Sequence, residues 1–162
     1  LEQEICHVRS YLDIQKMRYG DRLDYQIRIP EELKKLYTVK LLIQPLAENS
    51  IYHGIKESDR KGTILITAGE EPGGFYLCVR DDGLGISQET LTILNADLKR
   101  GVTVSDGGYG IFNVNERIRL YFGRDYGLEL RSCTGEWTEA VIHLPKYIPE
   151  RTEWDVSDFD RR

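Results

Sequence analysis

Apolar residues at the start of the chain recur every third or fourth position. Leu1, Ile5, Val8, Leu12, Gln15 and Tyr19 alternate steps of four and three, which predicts a helix over residues 1–19 with one polar member in its stripe. That spacing suits the seam of a coiled coil, or equally an amphipathic helix packed on its own domain. At Leu23 the period changes to two. Leu23, Tyr25, Ile27 and Ile29 alternate with charged or polar neighbours, as in a strand, and Pro30 ends the run. The following stretch, "VKLLIQPLAENSIYHGI", returns to helical spacing but contains Pro45. Proline lacks an N–H and fits only the first helical turn, so this helix should begin a few residues before it. Leu42, Leu46, Ala47, Ser50 and Ile51 then form its core side, while Asn49 and His53 lie four apart on another stripe.

Two strands, "GTILITAG" and "FYLCVRDD", flank "EEPGG" and predict a hairpin. Residues 87–98 predict a helix capped by Ser87, with Thr90 where a full capping box would have Glu or Gln. A Gly- and Ser-bearing loop of about twenty residues follows, long enough for a domain of this size to suggest a lid. The next helix should present Ile111, Val114, Ile118 and Tyr121 on one face, with Asn115 and Arg117 on its surface. "YGLELRSC" and "WTEAVIHLP" predict a second hairpin around Thr134 and Gly135, ended by Pro145. The charged, aperiodic tail at 147–162 is expected to be loose.

Composition narrows the class. The 162 residues, 40 % hydrophobic and 30 % charged, suit one globular domain with a core. A net charge of −5 argues against a nucleic-acid or anionic-membrane surface, so a phosphate ligand would have to be held locally. Cys6, Cys78 and Cys133 are odd in number and widely spaced, which fits reduced thiols in a cytosolic compartment better than disulfides. No apolar run approaches the roughly 20 residues that cross a bilayer, so no direct membrane insertion is expected of this stretch. The chain begins at Leu1 with neither an initiator Met nor a signal-peptide pattern, and reads as a piece of a longer protein.

Three stretches carry candidate chemistry. The polar stripe of "ENSIYHGI" could meet a single ligand, although an exposed helix face would look similar. In "DDGLGI" two glycines permit a tight turn and close backbone approach to a flat ligand beside Asp81 or Asp82, although a plain strand-to-helix turn has the same residues. In "GGYGIFNVNERI" glycines precede a helix whose free N–H groups and positive dipole end favour an anion by about 0.3–1 kcal/mol.

In this order the three stretches resemble the N, G1 and G2 boxes of the GHKL nucleotide-binding superfamily. With "SYLDIQKMRYGDRL" before them and "GEWTEAVIHLP" after, residues 1–145 resemble the sensor histidine kinases of the YesM/LytS type. The resemblance implies an α/β fold: a two-layer sandwich of a mixed β-sheet with helices on one face, and a lid over the nucleotide. It implies ATP and Mg²⁺ as ligands. Asn49 would ligate Mg²⁺ and His53 would face the phosphates or ribose. Asp81 would accept a hydrogen bond from the adenine amine, which an ionised carboxylate can do but cannot do for guanine's carbonyl. Gly83 and Gly85 would shape the adenine pocket, Gly108, Tyr109 and Gly110 would wrap the phosphates, and Thr138 would support the aspartate. Glu48, on another face, would be exposed or secondary. Tyr52, where the family often has a basic residue, and Trp137, where a small glycine is expected, depart from the pattern.

The same resemblance implies residues 1–19 as the end of a dimerisation helix and linker, 20–146 as the ATP-binding catalytic domain and 147–162 as a tail. The phosphoacceptor histidine would lie upstream, His7 lacking its context. Implied partners are that upstream phosphoacceptor and dimerisation domain, a cognate response regulator and, for the parent protein, a second copy of itself; the parent would be membrane-anchored with this domain cytoplasmic. A gyrase-like hydrolytic ATPase would place a glutamate base one turn before Asn49, where this chain has Pro45. A degenerate domain that binds without chemistry is the remaining alternative.

Overall fold

The computed structural model describes residues 1–56, 60–101 and 109–146. Helix α1 runs over Glu2–Tyr19, and its stripe of Leu1, Ile5, Val8 and Leu12 is buried in the domain's own core. Of the two partners that its spacing allowed, this stripe has the intramolecular one. A turn leads to strand β1, Leu23–Arg28, then to a single helical turn α2, Glu31–Lys34. Helix α3, Ile43–Asn49, starts two residues before Pro45, as the missing N–H requires, and widens into π-helical turns over Ser50–Ile55, where Lys56 N bonds Ile51 O at 2.8 Å.

Strands β2, Gly62–Glu71, and β3, Gly74–Asp81, form the first hairpin. Helix α4, Gln88–Arg100, is capped by Ser87, whose Oγ accepts from Thr90 N at 3.2 Å, and ends on Gly101 at φ 71°. Helix α5 is Tyr109–Phe122, and β4, Gly127–Cys133, with β5, Trp137–Pro145, makes the second hairpin. Helix α4 ends at Arg100 and α5 begins at Tyr109, so eight residues, 101–108, separate them rather than the expected twenty or so. The expected lid and the tail lie outside the described residues.

The five strands lie in the order β1-β2-β3-β5-β4, with β1 parallel to β2 and all other pairs antiparallel. This is the mixed sheet of an α/β sandwich. Ile64, Ile66, Phe75, Leu77, Val79, Ala140, Ile142, Leu144, Leu128 and Leu130 bury the helix side of the sheet. The alternate residues form a polar outer face, where Arg80 pairs with Glu139 at 2.8 Å over the Trp137 ring and His143 lies 2.9 Å from Glu71.

Helix α5 differs from its pattern in two ways. Tyr121 is 39 % exposed, and Phe112 rather than Tyr121 completes the buried face with Val114 and Ile118. Asn115 is not a surface group: it is 3 % exposed, donates to Leu98 O at 2.9 Å and accepts from Leu128 N at 2.9 Å, joining α4 to β4. A buried amide that satisfies two backbone groups is well placed in a core, whereas the spacing alone described only a polar residue.

Candidate functional site

The strands position the site by a shared irregularity. On the helix side, β3 runs Phe75, Leu77, Val79 and then Asp81; β5 begins with Thr138 before Ala140, Ile142 and Leu144; β4 runs Leu128, Leu130 and then Ser132. Each alternation of apolar residues ends on one polar side chain that still points inward. Register sets these three abreast, Asp81 opposite Thr138 and Thr138 opposite Ser132. A polar row thus crosses one end of an otherwise apolar sheet.

Above that row is a cavity of about 370 Å³, lined by Asp81 and Thr138 from the sheet, Asn49, Ser50, His53 and Gly54 from α3 and its extension, Gly85 and Ile86 from the turn after β3, and Ile111 from α5, with apolar walls that include Leu46 and Leu94. The size and the mostly apolar lining suit a small organic ligand held by few polar groups. Asp81 is its buried acceptor, 3 % exposed. Gly83 N donates to Asp81 Oδ1 at 3.1 Å and Ser50 supplies a side-chain hydrogen bond, yet burial dominates and pushes the carboxyl above its ordinary value. Thr138 Oγ1 lies 3.2 Å from Ser132 Oγ, which also accepts from Ile86 N at 2.7 Å and donates to Trp137 O at 2.6 Å.

Two glycines make room for the carboxylate. A Cβ on Gly54 would stand 2.5 Å from Asp81 Oδ1, and a Cβ on Gly83 would stand 2.4 Å from Gly54 Cα, so the helix and the turn meet backbone to backbone. Gly83 therefore acts from behind the wall rather than lining the cavity. Gly85, at φ 66°, lets the same turn approach β4 closely: a Cβ there would stand 2.1 Å from Cys133 O. The turn is fastened further by Gly135 N to Leu84 O at 2.6 Å, Thr134 Oγ1 to Ile86 O at 3.0 Å and Arg60 Nη2 to Gly83 O at 3.4 Å.

At the other end of the cavity, Asn49 Nδ2 is buried and has no hydrogen-bond partner among the described residues. The amide faces the start of α5, where a Cβ on Gly110 would lie 3.3 Å from that nitrogen. His53 is exposed at the rim, edge-on to Tyr52 with ring centroids 5.0 Å apart. Because the helix widens at Ser50, the two residues are not on the regular α-helical stripe that their spacing implied, but both still line the cavity. Tyr109 opens α5, and Gly108 lies outside the described residues. Gly54 and Ser132 had no expected role at the site, and Ser50 was expected only on the core side of its helix. The inward polar position after Leu128 and Leu130 was the available signal for Ser132; the close approaches of Gly54 had none.

Comparison with known proteins bears on this geometry. The family model described as histidine kinase-, DNA gyrase B-, and HSP90-like ATPase matches residues 36–148. The chain belongs to that family. The sensor histidine kinase YesM of Bacillus subtilis is 34 % identical over 145 residues, covering 90 % of this chain and 23 % of YesM. The sensor protein LytS of Bacillus anthracis is 30 % identical over 154 residues, 94 % of this chain and 26 % of LytS. The chain thus spans about a quarter of the length of these relatives. The fold matches the histidine kinase domain from a blue-light activated kinase of Erythrobacter litoralis with a TM-score of 0.55 at 15 % identity, over 86 % of this chain and 63 % of that one. Acinetobacter baumannii histidine kinase AdeS gives 0.56 at 14 %, over 88 % and 65 %. An α/β fold of the GHKL type and an ATP-binding family are therefore established for the chain, and among the described residues no helix is long and apolar enough to cross a membrane.

Proposed function

We propose that this chain is the catalytic domain of a sensor histidine kinase, which binds Mg-ATP in the cavity between α3, α5 and the polar row and presents the γ-phosphate to a histidine on an upstream dimerisation domain. The observation that carries this reading is the pairing of two polar groups in one apolar cavity: the buried acceptor Asp81 at one end and the unpartnered amide of Asn49 at the other. Both fit the ligand. A half-turn about its last side-chain bond gives Asn49 a hard oxygen where its nitrogen now lies, of the kind Mg²⁺ accepts. Asp81 would take the adenine amine and disfavour guanine, with Thr138 supporting the carboxylate through the polar row. Gly83 and Gly85 shape the turn beneath the base, Gly108, Tyr109 and Gly110 would meet the phosphates at the start of α5, and His53 would face them from the rim.

Mg²⁺, when bound, neutralises phosphate charge in the transfer. The chain's own contribution is positioning, and no residue here need activate water; Pro45 stands where a hydrolytic relative would have its base. In this reading α1 is the end of the dimerisation helix and linker, the parent is a membrane-anchored homodimer with this domain in the cytoplasm, and a response regulator receives the phosphoryl group. Calorimetric titration of ATP and ADP, with Mg²⁺ and with EDTA, tests the core of it. The wild-type chain should gain affinity with Mg²⁺, and Asn49→Ala should lose that gain while keeping nearly normal metal-free binding. Equal loss under both conditions, in a variant still folded by circular dichroism, would remove Asn49 from the metal site.

A further inference from the structure

Helix α3 has no cap of its own. Leu42 at its N-cap offers no side-chain acceptor, although a local Ser, Thr, Asp or Asn is the usual solution. The acceptor comes from a different helix. Glu4 of α1 is 5 % exposed, and its carboxylate takes Leu41 N at 2.6 Å, Leu42 N at 2.9 Å and Ile43 N at 3.4 Å. The turn it holds is not relaxed. Leu41 has φ 61°, a region that a leucine avoids, and its side chain is 45 % exposed, so packing does not hold it there. Glu4 grips this residue by its N–H, and Arg117 of α5 grips it from the other side, donating to Lys40 O at 2.8 Å and Leu41 O at 3.0 Å. One strained turn therefore connects α1 and α5 to the first residue of α3, and Asn49 is the last residue of that short helix.

We propose that Glu4 is a positioning residue for the phosphate end of the site: by capping α3 from α1 it sets where Asn49 stands, so that movement of α1 changes the grip on the metal. This rests on the reading of Asn49 given above. A helix capped from its own sequence keeps its start wherever its neighbours go, whereas one capped by a neighbour holds position only while that neighbour is docked. The run from Ile43 to Asn49 is less than two turns, too short to absorb a shift at its start by bending.

ATP titrations of the whole chain with Mg²⁺ and with EDTA test this in five proteins: wild type, Glu4→Gln, Asn49→Ala, the double variant and Val8→Ala. Val8→Ala removes buried α1 packing without touching the amides of 41–43 and controls for lost stability. Glu4→Gln should cut the Mg²⁺-dependent gain about tenfold, as removing a support behind a metal ligand does, while leaving the EDTA affinity near wild type. The double variant should lose no more of the gain than Asn49→Ala alone, and Val8→Ala should lower the melting temperature but keep the gain. An unchanged gain in Glu4→Gln, or an equal loss in Val8→Ala, overturns the inference. A gain that survives Asn49→Ala instead overturns the metal reading beneath it. If Glu4→Gln does not fold, Arg117→Ala loosens the same turn from a half-buried position; it too must reduce the gain, and wild-type behaviour there refutes the proposal.

Discussion

Gly54→Ala should separate the base-binding end of the site from the rest. The new Cβ would stand 2.5 Å from Asp81 Oδ1 and 2.9 Å from Cγ, where ordinary contact begins near 3.4 Å. Carboxylate and helix must therefore part by 0.9 Å, the difference between 3.4 and 2.5. The helix has no room to yield toward the turn, because Gly54 already meets Gly83 backbone to backbone. The carboxylate must move, and a displacement of that size along its 3.1 Å bond from Gly83 N takes it to about 4 Å, beyond hydrogen bonding. A carboxylate displaced this far also leaves the position from which it would accept the adenine amine, and losing a hydrogen bond to a charged acceptor costs about 1.5–3 kcal/mol, a fall in ATP affinity of roughly 10- to 150-fold. Titration with ATP and with inosine triphosphate, which carries a carbonyl in place of the adenine amine, isolates the effect: the preference for ATP should collapse in the variant. Wild-type affinity with the preference intact, in a folded Gly54→Ala chain, would show that Asp81 does not read the base.

Three further outcomes follow from the same geometry. Burial raises Asp81's pKa from 3.8, so the folded chain holds this proton more tightly than the unfolded one, and ligand-free stability should fall as pH rises from the ordinary value through the raised one; Asp81→Asn should flatten that part of a thermal-denaturation profile, and a profile parallel to wild type would contradict the assignment. ATP affinity should weaken as pH is lowered through the same window, because the protonated carboxyl loses acceptor capacity; calorimetry at a series of pH values reads this, and a flat profile counts against it. Ser132→Ala strips Ile86 N of its acceptor and should lower stability by about 1–2 kcal/mol in urea melts, with some loss of ATP affinity; an unchanged midpoint would mean that water replaces the hydroxyl.

Periodicity joined to local chemistry was enough for the strands, their hairpin partners and the starts of α3 and α4: Pro45 fits only a first helical turn, Ser87 offers a cap acceptor, and Gly73 tolerates the positive φ of the hairpin turn. It misjudged Asn115 and Tyr121, since helical spacing says which residues share a face but not which face a neighbouring strand covers. The widening of α3 at Ser50 was invisible for a similar reason: the sequence there is compatible with ordinary helical turns, and the close approach of Gly54 to Asp81 and Gly83 exists only in the folded chain. The glycines of "DDGLGI" left Asp81 and Asp82 open, and the resemblance of that motif chose Asp81; its place as the inward polar end of an apolar strand came from the structure. Ser132 has the same inward position on β4 and passed unnoticed because no motif surrounds it. Glu4 could not be found from spacing, because its three partners lie at 41–43 and meet it only through tertiary structure.

The polar row lies at one end of the sheet, and the β2–β3 turn lies at the other. Eight residue pairs join β2 to β3 between Asp81 and that turn, which at about 3.4 Å per residue is roughly 25 Å. Gly73 already has a positive φ and nothing within 4 Å of where a side chain would begin. A fluorophore or affinity handle inserted there would ride on the rigid hairpin without reaching the cavity, which makes this turn the natural attachment point for a reporter of what happens at the opposite end.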